Sequence, residues 1–100
     1  MVPPCPHQQI IDLYHRHLPE LQGVVDWTPK RRSYLQSRWR EAAKRQRIEW
    51  WERFFTYIHE SDFLCGRAKS KDGGKSFKAD LEWIITQGNF VKIIEGKYHE

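Results

Sequence analysis

The sequence predicts an all-α fold, a compact bundle of about five short helices, and three observations carry that expectation. Apolar residues recur at three- and four-residue spacing through 10–18, 35–58 and 81–94. Residues suited to helix ends flank these stretches, among them Thr28-Pro29, Ser61, Asp80 and Gly96. Hydrophobic residues make up 39% of the chain and aromatics 14%, enough material to offset the entropy of ordering and to exclude a disordered chain. At 100 residues there is room for one modest core and not for two.

Residues 1–6 carry Pro3, Pro4 and Pro6 and read as an extended tail; residues 7–98 read as a single helical domain. From His7 to Leu18, the positions Ile10, Ile11, Tyr14 and Leu18 share a helical face with Leu13 alongside, and Pro19 ends the segment. Leu21 to Trp27, with Gly23 and Val24-Val25, is a connector whose apolar side chains are expected to dock on the core. Thr28 suits an N-cap, and Pro29 suits the first turn because its missing N–H would have had no intrahelical partner. On a wheel drawn from there, Leu35, Trp39 and Ala42 fall on one narrow face, with Ala43 beside them. Lys30, Arg31, Arg38, Arg40, Lys44, Arg45 and Arg47 fan over the opposite arc, and Arg32 alone lands near the apolar edge.

The apolar face changes angle between Lys44 and Ile48, so a break is expected there although no Pro or Gly interrupts the run. Beyond it, Ile48, Trp51, Phe55 and Ile58 share one face, while Trp50, Phe54 and Tyr57 cover the adjoining one. An apolar arc that wide marks the centre of the core. Ser61 caps a short turn in which Phe63 and Leu64 are expected to face inward and which Gly66 stops. Ala68 to Lys78, rich in Lys and Gly around Asp72-Gly73-Gly74, reads as a flexible loop or a small hairpin. Asp80 or a neighbour opens a helix through Leu81, Trp83, Ile84 and Ile85 that is interrupted at Gly88. Asn89 then caps a last helix, which Gly96 ends.

The formal charge is +4 and the pI about 9.2, which favours nucleic acid or an acidic protein surface as partner. Residues 28–56 are strongly basic, with nine Lys and Arg against three Glu. Cys5 and Cys65 are the only cysteines, and no charged start followed by an apolar run precedes them. A cytoplasmic chain with reduced thiols is therefore expected. No apolar run approaches the length of a membrane span.

Six strings occur in order: Ile-Ile-Asp-Leu-Tyr-His-Arg-His-Leu-Pro-Glu-Leu (10–21), Arg-Trp-Arg-Glu (38–41), Trp-Trp-Glu-Arg-Phe-Phe (50–55), Ser-Asp-Phe-Leu-Cys-Gly-Arg (61–67), Asp-Leu-Glu-Trp-Ile-Ile (80–85) and Asn-Phe-Val-Lys-Ile-Ile-Glu-Gly-Lys-Tyr (89–98). As a set, and over nearly the whole chain, they resemble the C-terminal domain of phage and prophage replication proteins of the replication-initiation or helicase-loader type. The resemblance implies a DNA-replication accessory domain that recruits or contacts the replicative helicase or its loader and touches single-stranded DNA. The N-terminal winged-helix or helix-turn-helix domain such proteins often carry has no counterpart in these residues, so origin recognition does not carry over. Cys65 stands where the family pattern leads one to expect Thr. No catalytic residue transfers.

Read from the residues, the cationic arc suits phosphate contact, arginine above all through its bidentate geometry. It also suits a solvated helix face paired with Glu41, Glu49 and Glu52, although cations outnumber those acids on the segment. Lys69, Lys71 and Lys75 in the Gly-flanked loop, together with Lys78, add a second cationic element. Trp50, Tyr57 and Tyr34 are candidates to stack on bases, whereas Trp39, Trp51, Phe54 and Phe55 read as core. The nucleic-acid set is thus Lys30, Arg31, Arg38, Arg40, Lys44, Arg45, Arg47, Trp50, Lys69, Lys71 and Lys75. His7, His15, His17, His59 and His99 form no metal-binding spacing with the two cysteines, and there is no Cys-x-x-Cys. No phosphate loop and no acid/base pair is readable either, so no metal, cofactor or catalysis is expected. The alternative is a protein-interaction module, or an inhibitor acting on a host nucleic-acid machine such as a defence complex.

Overall fold

Apolar periodicity and capping translate into helices in the computed structural model, which describes residues 2–68 and 77–99. In chain order the elements are α1 (His7–His17), α2 (Pro29–Arg40), a 3-10 turn (Ala43–Arg45), α3 (Ile48–His59), α4 (Leu81–Ile85) and α5 (Gln87–Ile94). Among the described residues there is no strand, and the single bridge outside the helices joins Cys65 to Lys78. The all-α expectation holds.

The α3 helix is the centre. Trp51, Phe55 and Ile58 lose all contact with solvent, as do Ile10 and Tyr14 of α1, Leu35 of α2, Ile84 and Ile85 of α4, and Phe90 and Ile93 of α5. Tyr14 presents its ring edge-on to Phe55 at 5.9 Å, and its hydroxyl donates to the Gln22 carbonyl at 2.6 Å, so one residue pins the connector as it packs α1 on α3. Within that connector Leu21 is buried, Val24 and Trp27 are half-buried, and Val25 stands 94% exposed. The expected docking therefore excludes Val25. The N-terminal segment docks too, because the Trp39 indole donates to the Pro3 carbonyl at 2.8 Å.

Helix ends follow their side chains. The Thr28 hydroxyl accepts from the Arg31 N–H at 3.2 Å, and Asp80 accepts from the Trp83 N–H at 2.8 Å. The break in the central stretch starts earlier than expected: Ala42 is already extended, the 3-10 turn follows, and Arg47 is extended again. With no Pro or Gly present, packing causes it. The Trp51 indole donates to the Arg45 carbonyl at 2.8 Å and folds the turn back over α3.

Two expectations near the C-terminus are corrected. Gly88 lies inside α5 and does not interrupt it, and Thr86, not Asn89, occupies the N-cap position. Asn89 instead donates to the Trp83 carbonyl at 3.1 Å, tying α5 back to α4. Gly96 ends α5 as expected, with φ +80° and the Lys97 N–H reaching the Lys92 carbonyl at 3.1 Å, the six-residue closure that a left-handed residue permits.

The Ser61 turn closes the same way. The Arg67 N–H meets the Asp62 carbonyl at 2.8 Å across Gly66 at φ +77°. Leu64 points inward as expected, but Phe63 is 42% exposed, because a single turn has one buried edge and Leu64 and Cys65 occupy it. A Cβ on Gly66 would lie 2.5 Å from the Lys78 Cγ, in addition to the cost of a left-handed Ala. Gly66→Ala is therefore expected to destabilise the domain by about 1–2 kcal/mol, read as a drop in thermal midpoint. An unchanged midpoint would contradict the turn. The Lys/Gly-rich loop expected between Ala68 and Lys78 falls mostly on residues 69–76, outside the described residues.

Candidate nucleic-acid interface

The α2 helix presents a different face to solvent than the wheel suggests. Arg38 lies three residues after Leu35 and one before Trp39, on the flank of the packed stripe, and only 8% of its side chain is exposed. Its guanidinium donates to the Glu41 carboxylate at 2.8 Å and to the Ile85 carbonyl at 3.3 Å. The second Glu41 oxygen takes Arg45 at 3.0 Å, and the Arg45 guanidinium also lies 4.7 Å over the Phe90 ring. Glu41 is thus a shared anion between two cations that hold α2, the 3-10 turn and the α4–α5 layer together. At the start of α2, Arg31 meets Glu82 at 3.4 Å and the Asp26 carbonyl at 2.9 Å, with Lys30 at 3.9 Å from the same carboxylate.

The continuous cationic strip expected from the sequence is therefore divided. Lys30, Arg31, Arg38 and Arg45 are engaged by carboxylates, and Arg38 and Arg45 are structural residues. Arg40, Lys44 and Arg47 are exposed and have no ion pair among the described residues. Lys69, Lys71 and Lys75 lie outside the described residues. Trp50 is half-buried, stacked on Phe54 at 5.0 Å and 19° with Arg45 above it at 5.7 Å. It is a rim residue of the core.

What remains outward on α2 is a polar face. Pro29, Arg32, Ser33, Gln36, Ser37 and Arg40 line a shallow groove of about 330 Å³ with no acidic side chain in it. Arg32 and Arg40 are eight residues apart, about 12 Å along the helix axis. Between them stand two hydroxyls and an amide, groups that donate to phosphate oxygens. Nearby titratable groups leave Arg32 uncompensated. Burial pushes the Cys5 thiol up to about 11, with Arg32 pulling the other way, and burial together with Arg32 holds His7 below its ordinary value. Both are uncharged at neutral pH, so the local field is that of the guanidinium.

Comparison with known proteins returns no matching family model, no matching curated protein and no matching solved structure. Sequence reasoning missed Arg32, placed at the apolar edge, and Ser33, Gln36 and Ser37, which carry no charge to attract notice. The signal that identifies the inward cations was present, because Arg38, Glu41 and Arg45 stand at i, i+3 and i+7 and form a ready ion-pair ladder.

Two further surfaces accompany the α2 face. Trp50, Arg53, Phe54, Tyr57 and Ile94 line a groove of about 420 Å³ between α3 and α5, beside exposed Val91. Phe63 stacks on Phe77 at 5.1 Å and on Tyr98 at 5.3 Å, leaving two exposed phenyl rings in one stack, a feature the inward placing of Phe63 hid. No helix among the described residues is long and apolar enough to cross a membrane.

Proposed function

We propose that the domain is a non-catalytic DNA-binding module of phage DNA replication, working in the bacterial cytoplasm, and that the outer face of α2 takes the phosphates. The observation that carries the reading is the acid-free groove with Arg32 and Arg40 at its two ends. The neutralising acids of this region are committed elsewhere, Glu41 to Arg38 and Arg45 and Glu82 to Lys30 and Arg31. Arginine at helix spacing with hydroxyls between grips a backbone without reading sequence, which suits single-stranded DNA. The resemblance to replication proteins supports the setting, with the replicative helicase or its loader as protein partner.

The groove between α3 and α5 favours a second reading, a module that docks on such a protein through Val91 and Ile94, which are 42% and 39% exposed, with DNA contact minor. Fluorescence anisotropy of labelled single-stranded and duplex oligonucleotides across a salt series tests the first reading. Binding whose log affinity falls against log salt with a slope of about −1.4 or steeper, at least two phosphates on a single strand, supports it. Undetectable binding at low salt removes it and leaves docking.

A further inference from the structure

We propose that Glu20, His59 and Cys65 form a binding site for a divalent metal ion of the zinc class. Three separate segments converge there: the loop after α1 carries Glu20, the last residue of α3 is His59, and the Ser61 turn carries Cys65. Their carboxylate, imidazole and thiol donor atoms all lie within 4.8 Å of one another, and His59 Nδ1 stands 2.9 Å from the Glu20 carboxylate. Tetrahedral zinc, with bonds of about 2.0–2.3 Å, sets such donors about 3.3–3.6 Å apart. The observed spacings bracket that range, so small side-chain shifts would seat an ion. The sequence concealed the group because 39 residues separate Glu20 from His59 and neither lies at ligand spacing from Cys65.

The chemistry of the donors selects the ion. A thiolate with imidazole and a carboxylate suits zinc or a neighbouring transition metal and disfavours magnesium and calcium, which prefer oxygen alone. Carboxylate and thiolate offset a dication, and the Arg67 guanidinium, held by Asp62 at 2.9 Å and the His59 carbonyl, also faces Cys65 and favours its thiolate. The thiol is held in place by the fold. The Cys65 N–H bonds the Ser61 carbonyl at 3.1 Å, and the neighbouring Ala79 N–H bonds the Leu64 carbonyl at 2.9 Å. Entry is through His59, whose side chain is 51% exposed. Without metal the thiol stays protonated: burial, then the hydrogen bond and charge of Glu20, push Cys65 up to about 11. Metal binding displaces the thiol proton to solvent and forms the metal–sulfur bond.

The test is titration of the reduced full chain with cobalt(II) as a spectroscopic stand-in, followed by zinc competition. The proposal expects a thiolate-to-cobalt charge-transfer band with the visible bands of tetrahedral cobalt at one equivalent, and zinc quenching both. Cys65→Ser abolishes the charge-transfer band and Cys5→Ser leaves it intact. Glu20→Gln and His59→Asn, at positions with solvent access, each weaken binding by roughly tenfold or more and carry the test if the buried Cys65 variant fails to fold. No charge-transfer band in the wild-type protein, or one that survives Cys65→Ser, overturns the site. The outcome is independent of whether the chain binds DNA.

Discussion

Trp51→Ala lowers the stability of the domain by about 4 kcal/mol, within the range found for removing a buried aromatic. Trp51 has no solvent exposure and touches rings on every side: Trp50 at 5.1 Å, Phe54 at 5.8 Å, Phe90 at 5.7 Å and Phe55 at 6.1 Å. A cavity there cannot close readily, because three neighbouring rings of α3 and Phe90 of α5 all rest on the same side chain. The Arg45 carbonyl also loses its indole donor, which releases the 3-10 turn. Domains of this size hold about 5–15 kcal/mol in total, so the variant should unfold at far lower urea than the parent, followed by far-UV circular dichroism. Trp50→Ala, at a half-buried position, is the comparison and should cost clearly less. Equal costs would mean that the ring cluster is not centred on Trp51.

Glu41→Gln lowers stability by about 3 kcal/mol, far more than an exposed carboxylate ordinarily contributes, because it leaves Arg38 buried without a counter-ion. The amide can still accept one hydrogen bond, but it cannot neutralise two guanidiniums. With about 4–8 °C lost per kcal/mol in a domain of this length, the thermal midpoint should fall by more than about 10 °C. Glu49→Gln, in the first turn of α3 with no ion pair among the described residues, should cost under about 1 kcal/mol. If the two substitutions behave alike, Glu41 is a surface charge and the separation of inward from outward cations fails.

How much was legible follows from what periodicity encodes. Helix type, the Thr28 cap, the helix start at or beside Asp80 and the inward set Ile10, Tyr14, Trp51 and Phe55 depend on spacing and on short-range hydrogen bonds, and these are written locally. Phe63 was misplaced because its neighbours are distant in sequence, Phe77 and Tyr98, and Asn89 because the N-cap of α5 falls three residues before it, at Thr86, and its amide turns back six residues to the Trp83 carbonyl. The cationic face suffered most. A wheel counts charge and cannot show that the Ile85 carbonyl awaits Arg38, nor that Glu82, 51 residues away, claims Arg31. Arg38, beside the apolar stripe, was read as surface and is buried, while Arg32, at the apolar edge, is exposed.

The reading rests on a division of labour in which Arg38 and Arg45 hold the fold and Arg32 and Arg40 hold phosphate. The most direct measurement compares single-stranded DNA binding by the wild-type chain and Arg32→Glu/Arg40→Glu over a salt series, with thermal melts of both. The account predicts a melting midpoint within a few degrees of wild type, affinity reduced more than about tenfold, and a log–log salt slope shallower by about 1.4, the signature of two lost phosphate contacts. Unchanged affinity and slope in a folded double variant would contradict it.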